Sequence, residues 1–179
     1  MNLKDLSIAD FMKIQLTIET FSDDENKMNL ELVKLIHGTT AIEKRQADQT
    51  IQELIEIVQA QPQLIQRFVF DGIEYGFEPN LDNIMVGPFV DLEFYLKDRK
   101  QLDRIAAILY RPVIRSMGNM YAIEEYEGSD KYLEVMKKVN YKVVIGAMFF
   151  FVNLLKELLK ETNTFIQEQM EKMNQKKIS

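Results

Sequence analysis

The chain contains no cysteine, so it offers neither a disulfide framework nor a thiolate for catalysis or metal binding, a composition that suits a reducing compartment. It has a single histidine, His37. Nucleophilic catalysis of the serine type needs a base within hydrogen-bond reach, and zinc needs about three or four nitrogen or sulfur ligands, so one histidine serves neither chemistry. Its place beside Gly38, at the end of an apolar-periodic run, suits a residue that satisfies terminal carbonyls and complements the helix dipole. The seven glycines form no G-x-G-x-x-G and no Walker-type G-x-x-x-x-G-K pattern, which removes the usual phosphate cradles. Acidic side chains outnumber basic ones, 28 to 22. A net charge of −6 supplies no basic face for a phosphate backbone, and nucleic acid is an unsuitable partner. Residues 1–60 hold 6 basic against 11 acidic side chains, whereas residues 113–179 hold 10 against 9; the acidity sits at the front. Met1-Asn2-Leu3-Lys4-Asp5 opens into polar helical patterning rather than a secretory signal. The most apolar window, Val143 to Leu155, is thirteen residues long where a bilayer needs about twenty, and it reads as a buried helix.

What is present is a change of period. Gln66-Arg67-Phe68-Val69-Phe70 and Ile73-Glu74-Tyr75-Gly76-Phe77 flank Asp71-Gly72, a strong two-residue hairpin signal. The expected fold is α+β, mostly α-helical, in a single domain over 1–179. It has helices within 7–62, one central β-hairpin over about 66–78, a helix over 88–110 stopped by Arg111-Pro112, a loop over 113–129, and a long C-terminal helix over about 141–173.

Within the first part, Ser7 is the expected N-cap of a helix that ends near Phe21. Ser22 to Asn26 is a polar break, and a second helix starts at Lys27 or Asn29 and closes at Gly38 as its C′ residue. Thr40 with Glu43 suggests a capping box on a short helical turn, and a further helix starts at Gln49 or Thr50 and ends at Gln61-Pro62. Ser129-Asp130 caps a short helix to about Val139. At 1.5 Å per residue, the helix from Tyr141 would reach about 45–50 Å, longer than a compact domain of this size is wide, so part of it should project.

Carboxylates are the remaining candidates for chemistry. Asp91 and Glu93 stand two apart near an expected helix start and point in different directions, as ordinary dipole partners do. Asp23-Asp24-Glu25 and Glu124-Glu125-Glu127 lack the layout of a calcium loop and read as solvated acidic loops. No catalytic, cofactor or metal residue emerges. Aromatic density in Phe68, Phe70, Tyr75, Phe77, Phe89, Phe94, Tyr95 and Tyr110 exceeds what one hairpin and one helix readily hide. Met148-Phe149-Phe150-Phe151-Val152 is apolar on every side of a helix and requires cover from the core or from a subunit interface. Beyond Thr162 a sparser stripe suits contact with another chain. The residues put forward for partner contact are therefore Phe68, Phe70, Tyr75 and Phe77 on the hairpin and Leu158, Phe165, Ile166 and Met170 on the last helix.

The opening Leu6-Ser7-Ile8-Ala9-Asp10-Phe11-Met12-Lys13, the hairpin Phe68 to Phe77, and Gly87-Pro88-Phe89-Val90-Asp91-Leu92-Glu93 share a further property. Together with Ala106-Ala107-Ile108-Leu109-Tyr110-Arg111-Pro112 and the closing Phe149-Phe150-Phe151 with Leu154-Leu155, their order resembles a group of small proteins encoded among the virion genes of tailed bacteriophages, including crAss-like phages. The resemblance implies a structural or assembly protein of the neck, tail or baseplate that works through protein contacts without an active site. Its partners would be itself, as a homo-oligomeric ring, and other virion proteins, with no membrane. It would be assembled in the host cytoplasm and found in the virion, or act as a chaperone that leaves before the particle is finished. Two other classes stay open: a cytoplasmic adaptor that binds a partner helix or peptide in an aromatic groove, and a hydrolase that uses Asp91, Glu93 or Glu124 to Glu127 with a divalent ion.

Overall fold

A computed structural model describes residues 1–78, 86–97 and 101–154, together with residues 156, 157, 160 and 167. Helix α1 (Ile8–Thr20) starts where the Ser7 hydroxyl accepts the Asp10 backbone N–H at 3.1 Å, one of the orphan donors at a helix start. It buries Ile8, Phe11 and Ile14, positions three apart that share one face. Helix α2 (Glu25–His37) starts earlier than its apolar pattern suggests, because the Asp24 carboxylate caps the Lys27 N–H at 3.0 Å. It closes at Gly38, which takes the left-handed conformation (φ 73°) that glycine adopts without strain.

The expected helical turn at Thr39–Lys44 is absent. The Thr39 hydroxyl instead accepts the Ala41 N–H at 3.1 Å, a local turn that competes with helix. Helix α3 (Lys44–Gln59) then begins five residues before Gln49, with Glu43 as an N-cap that makes no side-chain cap bond.

Strands β1 (Arg67–Phe70) and β2 (Ile73–Phe77) pair antiparallel with Phe70 opposite Ile73. Asp71 (φ 48°) and Gly72 (φ 78°) both have positive φ, as a type I′ turn requires. The hairpin is not solitary. It is half of a four-stranded antiparallel sheet in the order β1-β2-β3-β4, completed by β3 (Tyr110–Met117) and β4 (Met120–Ile123). This corrects the expected loop over 113–129. Pro112 inside the third strand, opposite Tyr75, and a register shift between Val113 and Arg115 break the alternation by which a strand is recognised.

The expected single helix over 88–110 is also two helices, α4 (Val86–Leu96) and α5 (Leu102–Leu109), and α5 passes into β3 with no loop between. Helix α5 is the element buried on all sides. Leu102, Ile105, Ala106, Ala107, Ile108 and Leu109 are each at most 1% exposed, the cover expected of Phe149 to Phe151. After a 3-10 turn (Ser129–Tyr132), α6 spans Leu133–Met136, and α7 runs over residues 141–154. Residues 156, 157, 160 and 167 are helical too; the rest of the expected helix to 173 lies outside the described residues.

The start of the chain is sewn to α7. Ser7 bridges Asn140, the Tyr141 N–H donates to the Leu6 carbonyl at 3.0 Å, and the Phe11 and Tyr141 rings stack at 4.7 Å. On another side of α7, a Cβ on Gly146 would lie 2.3 Å from the Gln63 carbonyl oxygen, so only glycine lets residues 62–63 cross the helix this closely. One core cluster joins α1, α2, α3, α5, α7 and the sheet. Among the described residues no helix is long and apolar enough to cross a membrane.

Candidate functional site

The first hairpin directs its aromatic side chains inward. Phe68 faces Tyr75 across the strand pair with stacked rings 5.4 Å apart, and Tyr110 meets the edges of Phe68 and Phe77 at 5.4 and 5.5 Å. Because β2 is an inner strand, its core face is covered: Tyr132 meets Tyr75 at 6.1 Å and Phe150 meets Phe77 at 5.7 Å. Tyr75 and Phe77 are 2% and 4% exposed, which removes both from the residues expected to touch a partner. Phe68 and Phe70 are half-buried against the same core. Leu158, Phe165, Ile166 and Met170 lie outside the described residues.

Tyr110 anchors this seam by donating its hydroxyl to the Ile65 carbonyl at 2.8 Å, and burial pushes its phenol pKa up. Burial also raises Tyr75, with the negative charges of Asp71 and Glu124 adding to it.

The carboxylates are engaged rather than presented. Asp91, in the second turn of α4 rather than its first, accepts the Tyr126 hydroxyl at 2.5 Å; burial first and then this bond raise the Tyr126 phenol. Glu93 pairs with Lys97 at 3.1 Å. The loop Glu124 to Glu127 is tied down, not simply solvated. Lys131 bridges Glu124 at 3.0 Å and Glu127 at 2.7 Å, and Tyr132 donates to Glu124.

Behind it lies Arg111, whose side chain is 6% exposed and pairs with Glu78. Its Nε donates to the Glu124 carbonyl at 2.8 Å and its Nη1 to the Ile108 carbonyl at 2.9 Å, so each of the three guanidinium nitrogens has a partner, and a buried charge is tolerated when it is paired and hydrogen-bonded. Every member has a partner and the network closes on itself. It joins α5, β3 and the 124–132 segment, a positioning role. His37 is likewise bound, its Nε2 lying 2.8 Å from the Thr50 hydroxyl and linking the end of α2 to α3. Among the described residues no cluster of three or more metal-ligating side chains forms.

Among the described residues several large apolar side chains stay exposed, Val69, Phe89, Val90 and Phe94 among them, and two further surfaces stand out. The first is a groove of about 270 Å³ between α1, α3 and α7, walled by Phe11, Val58, Ile145, Phe149 and Val152, with Gln15 inside it. Gln15 Oε1 is buried with essentially no accessible surface and, among the described residues, has no hydrogen-bond partner, which costs free energy. The second is the far end of the second hairpin, where Ile114, Met117 and Met120 are 66%, 69% and 66% exposed.

Comparison of the chain with protein-family models, curated proteins and solved structures returns no match. The site therefore rests on its own geometry. Sequence reasoning missed the second hairpin as a surface because it read residues 113–129 as a loop. The available signal was Gly118-Asn119 between Met117 and Met120, a two-residue turn with Gly118 at φ 62° and glycine at its first central position.

The two hairpins meet at Gly76. A Cβ there would lie 2.5 Å from Tyr121 Cε2, and the Tyr121 hydroxyl donates to the Phe77 carbonyl at 2.7 Å. Arg67 lies over the Tyr121 ring at 5.4 Å and donates to the Ser116 hydroxyl at 3.0 Å. Arg67 also donates to the Gly118 carbonyl at 3.4 Å, so the first hairpin holds the second as far as its turn, while the Ile114, Met117 and Met120 side chains stay exposed.

Proposed function

We propose that the chain is a non-enzymatic subunit of a bacteriophage virion, in the neck or tail region, acting through protein–protein contacts as part of a ring or a tail-assembly complex. The observation that carries the reading is the pairing of an apolar groove with a projecting apolar hairpin end on the same chain. Exposed apolar patches of this kind mark interaction surfaces. The likeness in order of parts to phage virion proteins supplies the setting. On this reading the partners are copies of itself and other virion proteins, with no membrane and no specificity for nucleic acid. The engagement of Asp91, Glu93 and Glu124 by Tyr126, Lys97, Lys131 and Tyr132 supports contact over catalysis.

Quantitative mass spectrometry of purified particles, with native mass measurement of the isolated protein, tests the reading. A stoichiometric virion component that multimerises is the expected result. Absence from particles, with capture of a tail protein in infected cells, moves the role to a tail-assembly chaperone. The groove also favours a second reading, a cytoplasmic adaptor for a partner helix or peptide; a strict monomer that binds such a helix would select it.

A further inference from the structure

We propose that Met117 and Met120 form an oxidation site, a thioether pair that takes up oxygen from peroxide-class oxidants ahead of the other described methionines. The reaction turns the end of the second hairpin from apolar to polar without unfolding the chain. The proposal concerns the free chain and does not depend on self-association. With no cysteine present, no thiol intercepts a mild oxidant first, and methionine supplies the only sulfur. Susceptibility then follows exposure. Met117 and Met120 are 69% and 66% exposed, against 37% for Met1 and 0% for Met136. Met12, Met28 and Met148 are half-buried against the core.

The strand register brings the two thioethers together. Met117 stands opposite Met120 across the turn, and residues so paired carry their side chains on one face with Cβ atoms about 5 Å apart. Arg115, exposed and paired with Ala122, leaves the strand on that same face, where its guanidinium supplies donors for a sulfoxide oxygen. At each sulfur a lone pair forms the S–O bond to one peroxide oxygen as the O–O bond breaks. The hydroxide released takes the remaining proton and leaves as water; sulfur loses two electrons and the peroxide gains them. A flexible apolar side chain becomes a polar, chiral one. The fold rests on neither sulfur, since the second hairpin is held by Tyr121 on the Phe77 carbonyl and by Arg67 on Ser116 and the Gly118 carbonyl. Met136 belongs to the core cluster, where a sulfoxide would disrupt packing.

Hydrogen peroxide, applied to the dilute folded chain and quenched at intervals, tests the site by peptide mapping. Met117 and Met120 should each gain one oxygen at least about tenfold faster than Met136, and ahead of Met12, Met28 and Met148, as exposure dictates. Circular dichroism should be unchanged once both have reacted, and the native protein should leave a hydrophobic-interaction column earlier. In urea the preference should vanish, because unfolding exposes every methionine alike. Met117→Leu with Met120→Leu should keep the fold and abolish the chromatographic shift at the same oxidant dose. Oxidation of Met136 in the folded chain as fast as Met117 and Met120 overturns the proposal. So does loss of the circular dichroism signal as the pair reacts, or a retention shift that survives in the double-leucine variant.

Discussion

In the first hairpin, Phe68, Tyr75 and Phe77 turn inward and meet Tyr110 in a packed aromatic seam; in the second, Ile114, Met117 and Met120 turn outward and meet nothing comparable. Both rest on two-residue turns with glycine at a positive φ, Gly72 in one and Gly118 in the other. Turn chemistry therefore makes a hairpin without deciding what it is for. The difference lies in neighbours. Strand β2 is enclosed between β1 and β3 and covered by α7 and the 3-10 turn before α6, while β4 is an edge strand at the end of the sheet order. The side chains on the covered face of the first hairpin stabilise the fold, while those on uncovered faces, Val69 and Ile73 near its turn as well as Ile114, Met117 and Met120, are available to another surface.

The contrast is broken most severely at the seam. Tyr110→Ala removes a fully buried ring and the donor to the Ile65 carbonyl, and should cost about 3–5 kcal/mol in urea unfolding. A loss under 1 kcal/mol would mean that the aromatic seam does not hold the sheet to the helices. Gly76→Ala comes next. Its methyl collides with Tyr121, whose hydroxyl is held by the Phe77 carbonyl, so the two hairpins must part, at a cost of about 1–3 kcal/mol; adding Tyr121→Ala should recover part of the loss, as seen in the melting temperature of the double variant.

Alkali should separate the regions more gently. Burial raises the phenols of Tyr75, Tyr110 and Tyr121 in the folded state, so above the unfolded tyrosine pKa of about 10 the unfolded chain loses protons first. Stability is complete below that pH and falls as pH rises toward the folded values. Tyr121→Phe should flatten this fall, which chemical unfolding between pH 9 and pH 11 (roughly the window around that pKa) would reveal. The smallest effect on folding belongs to the outward side chains. Met117→Ser with Met120→Gln should change unfolding free energy by less than about 0.5 kcal/mol, as exposed substitutions do. The same variant should lose self-association by native mass measurement. A large loss of stability instead would place these methionines in the fold rather than on a contact surface.

Local signals in the residues determined a good deal by themselves. Ser7 as cap of α1, Gly38 as the end of α2 and Asp71-Gly72 as a tight reversal were all legible, because each depends on a few neighbouring backbone groups and one side chain. A mixed fold dominated by helix was legible for the same reason: apolar spacing is local. The division of 88–110 into two helices and the extension of the sheet to β3 and β4 were not. In Tyr110–Met117 a proline and a register shift erase the period-two pattern, and the strand is made by pairing, with β4 beyond the turn and with β2 far back in the sequence, where the nearest pair is Phe77 with Tyr110.

Tertiary structure alone decided which apolar residues became core. Tyr75 and Met117 both sit in short strands beside a turn and are equally apolar in pattern, yet one is 2% and the other 69% exposed. Burial depends on what packs above a side chain, and in this chain that cover comes from α7 and residues 129–132, elements far along the sequence whose placement no local period encodes.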